Sequence, residues 1–167
     1  VVDTMEVAAP WAALPDLFHA FDTGLWQLGQ EIAAQPAGEP VYLTPRPADH
    51  PTLAFALATH PEGHRAPISF DGRQIFPLTA AQSSAAERYF VIEPEDFRTR
   101  LLLPEVLPNA IVSSTMLDFA GQTYANVYVR PVGETPQRAP QHQVDVTPGD
   151  GIRLLGYDIQ PAVLHPG

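Results

Sequence analysis

The sequence predicts an α/β fold: a layered sandwich around a mixed sheet, parallel at its start, antiparallel in its later hairpins and followed by a C-terminal extended arm. The first observation is the stretch 14–32, where apolar residues recur at steps of three and four, as on one face of an α-helix. The second is the short apolar run 41–45, which favours a strand. The third is the order strand, helix, strand that follows, which predicts a parallel βαβ unit with a right-handed crossover.

The apolar stripe predicts one long helix over residues 14–32, covered by the sheet that begins at 41–45. Its positions are Leu14, Phe18, Phe21, Leu25, Leu28 and Ile32. Pro15 suits the first turn, because its missing N–H would be unpaired there in any case. Gly24 inside the helix costs about 1 kcal/mol relative to alanine, so we expect a close approach to the sheet or a local bend at this position.

The crossover of the βαβ unit is predicted to be a short apolar helix that begins at Pro51 and ends at His60, with Asp49 or His50 as its cap. The returning strand is residues 68–70. The Asp-Gly pair at 71–72 follows directly and predicts a tight hairpin, with residues 74–76 returning alongside.

The second half of the chain is predicted to be mainly antiparallel. We expect a loop or weak helix at 79–86, a strand at 88–92, and a helix over 94–103 that Pro104 stops. The extended runs 113–117 and 124–129 flank a turn at 120–122 and predict a second hairpin.

The composition divides the chain into three segments. Residues 1–133 are the predicted α/β domain, and residues 134–150 form a Pro-rich linker or arm. Residues 151–167 resume as a strand and are interpreted as the first strand of a following, truncated β-domain. Because the chain begins with Val1 rather than Met, we expect it to be a segment of a longer protein.

The charge balance excludes some classes of partner. Nine Lys plus Arg stand against nineteen Asp plus Glu, which gives a net charge of −10. Nucleic acid and anionic membrane surfaces need a basic face, so neither is an expected partner. The chain has no cysteine, which excludes disulfides and thiolate metal sites. No run approaches the roughly 20 apolar residues of a membrane span.

A metal site is the first chemical candidate. His60, Glu62 and His64 lie within five residues and could form a metal-binding face on a helix. Pro61 and Gly63 disfavour a helix, so a solvated loop is the preferred interpretation.

Nucleophilic and phosphate-binding sites are also considered. Asp49 and His50 resemble part of a catalytic dyad, but Asp49 is better explained as a helix cap. No serine lies in the G-x-S-x-G elbow that a hydrolase of that type needs. The serines considered are Ser69, Ser83, Ser84, Ser113 and Ser114. The glycines at 149 and 151 precede a strand rather than a helix, so a turn is predicted there instead of a phosphate loop.

Carboxylates and tryptophans could serve carbohydrate chemistry. Glu93, Asp96 and Asp118 could supply a carboxylate pair for glycoside hydrolysis, but they fall on separate predicted elements. Trp11, Trp26 and the tyrosines could line a sugar platform, although core packing is the commoner role. We therefore predict no catalytic, cofactor-binding or metal-binding residue in this chain, and no cofactor.

Both ends of the chain carry a family resemblance. Residues 151–158 (GIRLLGYD), followed by Pro161 and the closing 165–167 (HPG), resemble a segment of large bacterial membrane glycosyltransferases. These belong to the polyprenol-phosphate-sugar-using, protein-mannosyltransferase-like superfamily, in which the segment opens an extracytoplasmic β-sandwich behind the multi-span membrane part. Residues 20–25 (AFDTGL) and 40–45 (PVYLTP) are similar to the region just after the last membrane helix of the same proteins.

The resemblance implies a soluble extracytoplasmic domain of such an enzyme. The family's catalytic acidic residue belongs to a loop of the membrane part, so no catalytic residue carries over to this chain. The implied role is accessory: positioning the acceptor, contacting glycan or cell-envelope polymer, or holding partner subunits, with the membrane part of the parent chain as the main partner.

Two other classes of function remain open from the residues alone. One is an independent small α/β binding or interaction module. The other is a metal-assisted hydrolase that would use His50, His60 and His64.

Overall fold

The computed structural model describes residues 14–61, 66–77, 84–136, 140–149 and 152–157. The chain forms two compact units, Val1–Pro136 and Gln137–Gly167. The described helices and strands of the first unit are α1 (Pro15–Ala20), α2 (Thr23–Ala33), β1 (Val41–Thr44), α3 (Pro51–Thr59), β2 (Ile68–Ser69), β3 (Glu87–Ile92), α4 (Phe97–Val106), β4 (Ile111–Leu117) and β5 (Thr123–Arg130). Those of the second unit are β6 (His142–Gly149) and β7 (Ile152–Tyr157).

The first unit contains a five-stranded mixed sheet with the order β2-β1-β3-β5-β4. β1 runs parallel to both β2 and β3, whereas β5 runs antiparallel to β3 and to β4. The helix α3 connects the parallel pair β1 and β2, as the βαβ prediction requires. The α/β class and the mixed sheet are therefore confirmed.

Both faces of the sheet are covered, because successive strand residues point to opposite sides and both sets are apolar. On one face the sheet packs against the helices α1, α2 and α3. The buried members of this core are Phe18, Leu25, Leu28, Ile32, Ala33, Val41, Leu43, Leu53, Leu57, Phe90, Ile92, Tyr124, Ala125 and Val127. On the other face the core includes α4 and the chain after β2, with Tyr42, Phe70, Tyr89, Val91, Leu103, Val106, Leu107 and Tyr128 buried.

The predicted long helix over 14–32 is instead two helices. The chain breaks at Asp22, which adopts a left-handed conformation with φ 50°, a region that Asp tolerates better than most residues. The break turns the stripe, so Phe18 is buried in the core whereas Phe21 is 67% exposed. Pro15 does occupy the first turn of α1, and Gly24 lies two residues after the break.

Two further local predictions are wrong. No hairpin follows Asp71 and Gly72: residues 71–75 form a turn in which Gln74 N–H and Ile75 N–H both donate to Asp71 O, at 2.9 Å each. The helix α4 begins at Phe97 and runs through Pro104 to Val106. It continues because Leu103 and Val106 are buried in the core, while Leu107 N–H still donates to Leu103 O at 2.8 Å.

Other elements form as predicted. β1, α3, β3 and the β4–β5 hairpin lie within two or three residues of their predicted bounds. Neither Asp49 nor His50 caps α3 with its side chain, although His50 is the N-cap residue. The predicted loop at 79–86 lies mostly outside the described residues.

A buried ion pair joins β3 and β5 at the amino end of β3. Glu87 and Arg130 are register partners, and Arg130 Nη1 donates to Glu87 Oε2 at 3.0 Å. The Tyr89 hydroxyl donates to the same oxygen at 2.9 Å. Burial, together with the Glu87 charge, raises the pKa of Tyr89. The Tyr89 ring stacks on Tyr42 at a centroid distance of 4.8 Å.

The second unit is an antiparallel ribbon of β6 and β7, so residues 142–149 of the segment 134–150 are a strand. The rings of His142 and Tyr157 stack across the ribbon at 4.9 Å. Val146, Leu154 and Tyr157 are exposed. Among all described residues, no helix has both the length and the apolar character that crossing a membrane requires.

Candidate functional site

β1 and β3 are neighbouring parallel strands, and the connections that follow their carboxyl ends lead to opposite sides of the sheet. From β1 the chain proceeds through α3 to β2 on one side, and from β3 it proceeds through α4 to β4 and β5 on the other. In open α/β sheets a crevice forms outside the strand ends at such a switch point, and ligands bind there. This edge is therefore the candidate functional site.

An ion pair bridges the two strand ends. Arg46 follows β1 and Glu95 follows β3. Arg46 Nε lies 2.8 Å from Glu95 Oε2, and Arg46 Nη2 donates to Glu95 Oε1 at 2.9 Å. The hydrogen bond to Glu95 raises the pKa of Arg46 above its usual value. One hydrogen bond and one close ion contact thus join the guanidinium to the carboxylate, and the pair connects the two strand ends.

Beside this pair lies a crevice of about 130 Å³. Its lining combines three charged groups with aromatic rings and a helix start. The residues are Phe18, His19, Asp22, Gly24, Leu25, Arg46, Glu95 and Tyr124. We call it the switch-point crevice.

The N-terminus of α2 forms one wall of the crevice. Asp22 is the N-cap residue, but its side chain makes no cap hydrogen bond. Its Oδ2 instead accepts from Thr52 Oγ1 at 2.8 Å, which ties the break between α1 and α2 to the first turn of α3. The Asp22 side chain therefore does not cap the first N–H groups of α2.

Tyr124 enters the crevice through an irregularity of the sheet. Between β4 and β5 the register shifts from Met116↔Ala125 to Leu117↔Thr123, which leaves Tyr124 as an extra residue on β5. Its ring packs edge-on against Phe18, with centroids 5.1 Å apart, and occupies the space where a side chain at Gly24 would lie. The close approach predicted at Gly24 is thereby confirmed.

The Tyr124 side chain is in a low-dielectric, negatively charged environment. Burial raises the pKa of its hydroxyl, the carboxylates of Glu95 and Asp22 raise it further, and Arg46 acts in the opposite direction. The phenol is therefore protonated, and a hydrogen-bond donor, throughout the physiological pH range.

A buried hydrogen-bond network supports the strand ends behind the crevice. Asp96 caps α4 by accepting from Thr99 N–H at 3.0 Å and from Thr99 Oγ1 at 2.7 Å. The Thr44 hydroxyl, at the end of β1, also donates to Asp96 Oδ2. Gly72 N–H donates to Thr44 Oγ1 at 2.9 Å, and Arg98 Nη1 donates to Gly72 O at 2.8 Å. One carboxylate thus links β1, α4 and the turn after β2.

Glu93 holds the antiparallel side of this edge. Its Oε1 accepts from Asn126 Nδ2 at 2.8 Å and from the Tyr128 hydroxyl at 3.2 Å, while Arg100 Nη1 lies 3.3 Å from its Oε2. Burial, with the Glu93 charge, raises the pKa of Tyr128 to about 12.

In the turn of residues 71–75 after β2, the Arg73 guanidinium lowers the pKa of Asp71 to about 2.

The structure does not bring the predicted carboxylates together. Glu93 accepts a hydrogen bond from Asn126 of β5, and Asp96 accepts from Thr99 of α4. Asp118 lies at the β4–β5 turn, where it accepts from Ala120 N–H and Gln122 N–H. Only Asp118 lies near the crevice, where its Oδ2 is 3.8 Å from His19 Nε2. No pair of them flanks a common space.

The other candidate residues are dispersed. His50 precedes α3 and His60 ends it, whereas Glu62 and His64 lie outside the described residues. Among the described residues, no group of three or more His, Cys, Asp or Glu could hold a metal ion. Trp26 lies on α2 and is 44% exposed, so it is not a core residue; Trp11 lies outside the described residues.

The serine and glycine candidates lie away from the crevice lining. Ser69 ends β2, while Ser113 and Ser114 are on the edge strand β4, where Ser113 Oγ donates to Val127 O at 3.1 Å. Ser84 is exposed, and Ser83 lies outside the described residues. Gly149 is the last residue of β6, and Gly151 lies outside the described residues.

Sequence reasoning considers Tyr124 only as one of several tyrosines that could line a sugar platform, and it gives no role to Arg46 or Glu95. A usable signal exists for Arg46 and Glu95, because each follows a parallel strand, where such folds place their ligand-binding side chains. Tyr124 carries no comparable signal, since only the register shift turns it towards α2.

Comparisons with protein-family models, with curated proteins and with solved structures give no match for this chain. A function must therefore be inferred from its own residues.

Proposed function

We propose that the chain is a non-catalytic accessory domain on the extracytoplasmic side of a membrane glycosyltransferase of the polyprenol-phosphate-sugar-using, protein-mannosyltransferase-like superfamily. The observation that carries this proposal is the resemblance of residues 20–25, 40–45 and 151–158 to the family's extracytoplasmic segments. The main partner is then the membrane part of the parent chain, and the domain contacts an acceptor or a glycan of the cell envelope.

The positions of these segments in the fold support the proposal. Residues 40–45 contain β1, which is the central parallel strand, and residues 20–25 contain the break that opens the crevice. Residues 151–158 contain β7. A two-stranded ribbon is only marginally stable in water, and the exposed Val146, Leu154 and Tyr157 supply apolar surface for further strands of a β-domain.

The bonding of the carboxylates supports an accessory rather than a catalytic role. Glu95 is held by Arg46, Asp22 accepts from Thr52, and Asp96 holds α4 and β1 together. A general acid or base must exchange a proton with a substrate within hydrogen-bonding reach. These carboxylates hold elements of the fold together, and the lone pairs that remain on Asp22 and Glu95 can accept from a ligand hydroxyl without proton transfer.

The test is the size and fractionation of the native protein, detected with an antibody raised against this chain. We expect a band far heavier than 18.2 kDa in the membrane fraction. A soluble band near that mass would contradict the proposal.

The alternative of an independent α/β binding module is favoured by one observation, the switch-point crevice, which such a module would use directly. It predicts the soluble band, so the same experiment discriminates between the two functions.

A further inference from the structure

We propose that the switch-point crevice binds one neutral pyranose ring, with the Tyr124 hydroxyl and the Arg46 guanidinium as donors and the carboxylates of Asp22 and Glu95 as acceptors. This inference deepens the proposed function and rests on it for the source of the ligand, since an envelope glycan would supply such a ring.

The size of the crevice suits a single six-membered ring. Its volume is about 130 Å³, close to the roughly 150 Å³ of an engineered cavity that holds benzene. A longer saccharide could place one ring inside and leave its other residues in solvent, because the crevice is open on one side.

Tyr124 places a hydrogen-bond donor in the crevice. The residue is only 7% exposed, and within the described part of the chain its hydroxyl bonds to no side chain or backbone group. The hydroxyl oxygen is not fully enclosed by protein, so it faces the open part of the crevice. A ligand hydroxyl there can accept from it in place of water.

The charges around the crevice favour a neutral ligand. A phosphate or carboxylate would face both Asp22 and Glu95, whereas a cation would face Arg46. A polyol avoids both penalties, because each of its hydroxyls can donate to a carboxylate or accept from a guanidinium or phenol. The first N–H groups of α2, which the Asp22 side chain does not cap, are further donors at this wall.

The apolar part of the lining is narrow. Phe18 and Tyr124 meet edge-on and Leu25 lies beside them, but Phe18 is only 1% and Leu25 only 3% exposed. Recognition of the ring therefore depends mainly on the polar groups of the crevice.

The test uses the whole chain and three probes, methyl α-mannopyranoside, methyl α-glucopyranoside and methyl β-galactopyranoside, with inorganic phosphate as the anionic comparison. Binding is measured by saturation-transfer NMR and by titration of the backbone amides. We expect at least one pyranoside to bind and to shift the amides of residues 22–25. Failure of all three to bind, or tighter binding of phosphate, would overturn the inference.

The decisive variant is Tyr124→Phe, which removes only the hydroxyl and keeps the ring against Gly24 and Phe18. We expect the dissociation constant of the bound pyranoside to rise about tenfold, because the variant loses one hydrogen bond to the ligand. The matched control is Tyr128→Phe, the same chemical change at a hydroxyl that bonds Glu93 outside the crevice; its affinity should equal that of the wild type. Equal affinities of the two variants would contradict the assigned role of Tyr124.

The two proposals can fail separately. A chain found in the membrane fraction that binds no pyranoside would overturn this inference alone. A soluble chain of about 18.2 kDa that binds a pyranoside would support the crevice assignment and overturn the proposed membrane glycosyltransferase.

Discussion

Gly72 lies at a point where three hydrogen-bonding side chains converge. A Cβ atom built there would overlap Thr99 Oγ1 and Asp96 Oδ2, and it would lie 2.8 Å from Thr44 Oγ1. Glycine is therefore required at position 72 because there is no room for a Cβ atom. Any side chain would push apart the groups that bind Asp96, the residue that links β1 to α4.

We expect Gly72→Ala to lower the free energy of unfolding by about 2 kcal/mol, as overpacking of a tight interior does. Urea denaturation followed by far-ultraviolet circular dichroism measures the change. Gly121→Asn is the control, because Gly121 has a positive φ of 77° but no neighbour within 4 Å, and Asn tolerates that conformation. A Gly72→Ala variant as stable as this control would show that the site has room for a methyl group.

The buried tyrosines predict a loss of stability in alkali. The pKa of Tyr128 is about 12 in the folded chain, against about 10 in an unfolded chain. Burial also raises the pKa values of Tyr42, Tyr89 and Tyr124. Above pH 10, approximately, the unfolded state releases phenolic protons that the folded state retains, so stability falls as pH rises.

Urea midpoints measured between about pH 9 and about pH 11.5 should therefore decline steadily. The Tyr128→Phe variant should decline less steeply, because it lacks one of the shifted groups. A midpoint that stays constant over this range would mean that the phenols titrate alike in both states.

At the scale of the elements, the ion pair of Glu87 and Arg130 joins the central strand β3 to β5. Both side chains are almost fully buried, and Arg130 Nη2 also donates to Glu134 O. Glu134 in turn accepts from Asn109 N–H at 2.8 Å, next to the end of α4. The pair thus connects two strands with the two loops that flank them.

We expect Arg130→Met to cost about 3–5 kcal/mol, because it leaves the Glu87 carboxylate buried without its cation. The double variant Glu87→Leu with Arg130→Met should recover most of that loss, since two apolar side chains replace the charges. Thermal and urea unfolding of the single and double variants measure the interaction free energy between Glu87 and Arg130. Equal losses in both would mean that the cost does not come from leaving the Glu87 charge buried.

The elements that sequence reasoning predicted well are those specified locally. β1, α3, β3 and the β4–β5 hairpin each have an apolar run bounded by proline or turn residues. The failures occur where tertiary contacts override the local signal. Asp22 interrupts a regular helical stripe because its side chain bonds Thr52, and Pro104 does not end α4 because Leu103 and Val106 must be buried.

The candidate site was harder to predict than the fold. Arg46 and Glu95 are 49 residues apart in sequence and meet only because β1 and β3 are adjacent and parallel. That adjacency depends on the strand order, which periodicity does not provide. Asp96 was considered as a catalytic carboxylate, and its role as the cap of α4 becomes visible only through its bonds to Thr44 and Thr99.

At the scale of the whole molecule, the described residues of both hydrophobic cores belong to the first unit. We therefore expect a chain of residues 1–136 to fold alone with a cooperative thermal transition, because a unit that has its own hydrophobic core can fold independently. Circular dichroism and the dispersion of amide resonances measure this. A broad, non-cooperative transition in the shortened chain would contradict the expectation.

The strand order of the first unit also has a kinetic consequence. A short turn joins β4 to β5, which pair with each other. A much longer stretch of chain, containing α3, β2 and the segment after β2, separates β1 from its partner β3. Because closing a longer loop costs more chain entropy, the hairpin forms early in folding and the parallel pairing late. The lining of the switch-point crevice comes from α1, α2, the ends of β1 and β3, and Tyr124 of β5, so we expect the crevice to be complete only after the late parallel pairing has formed.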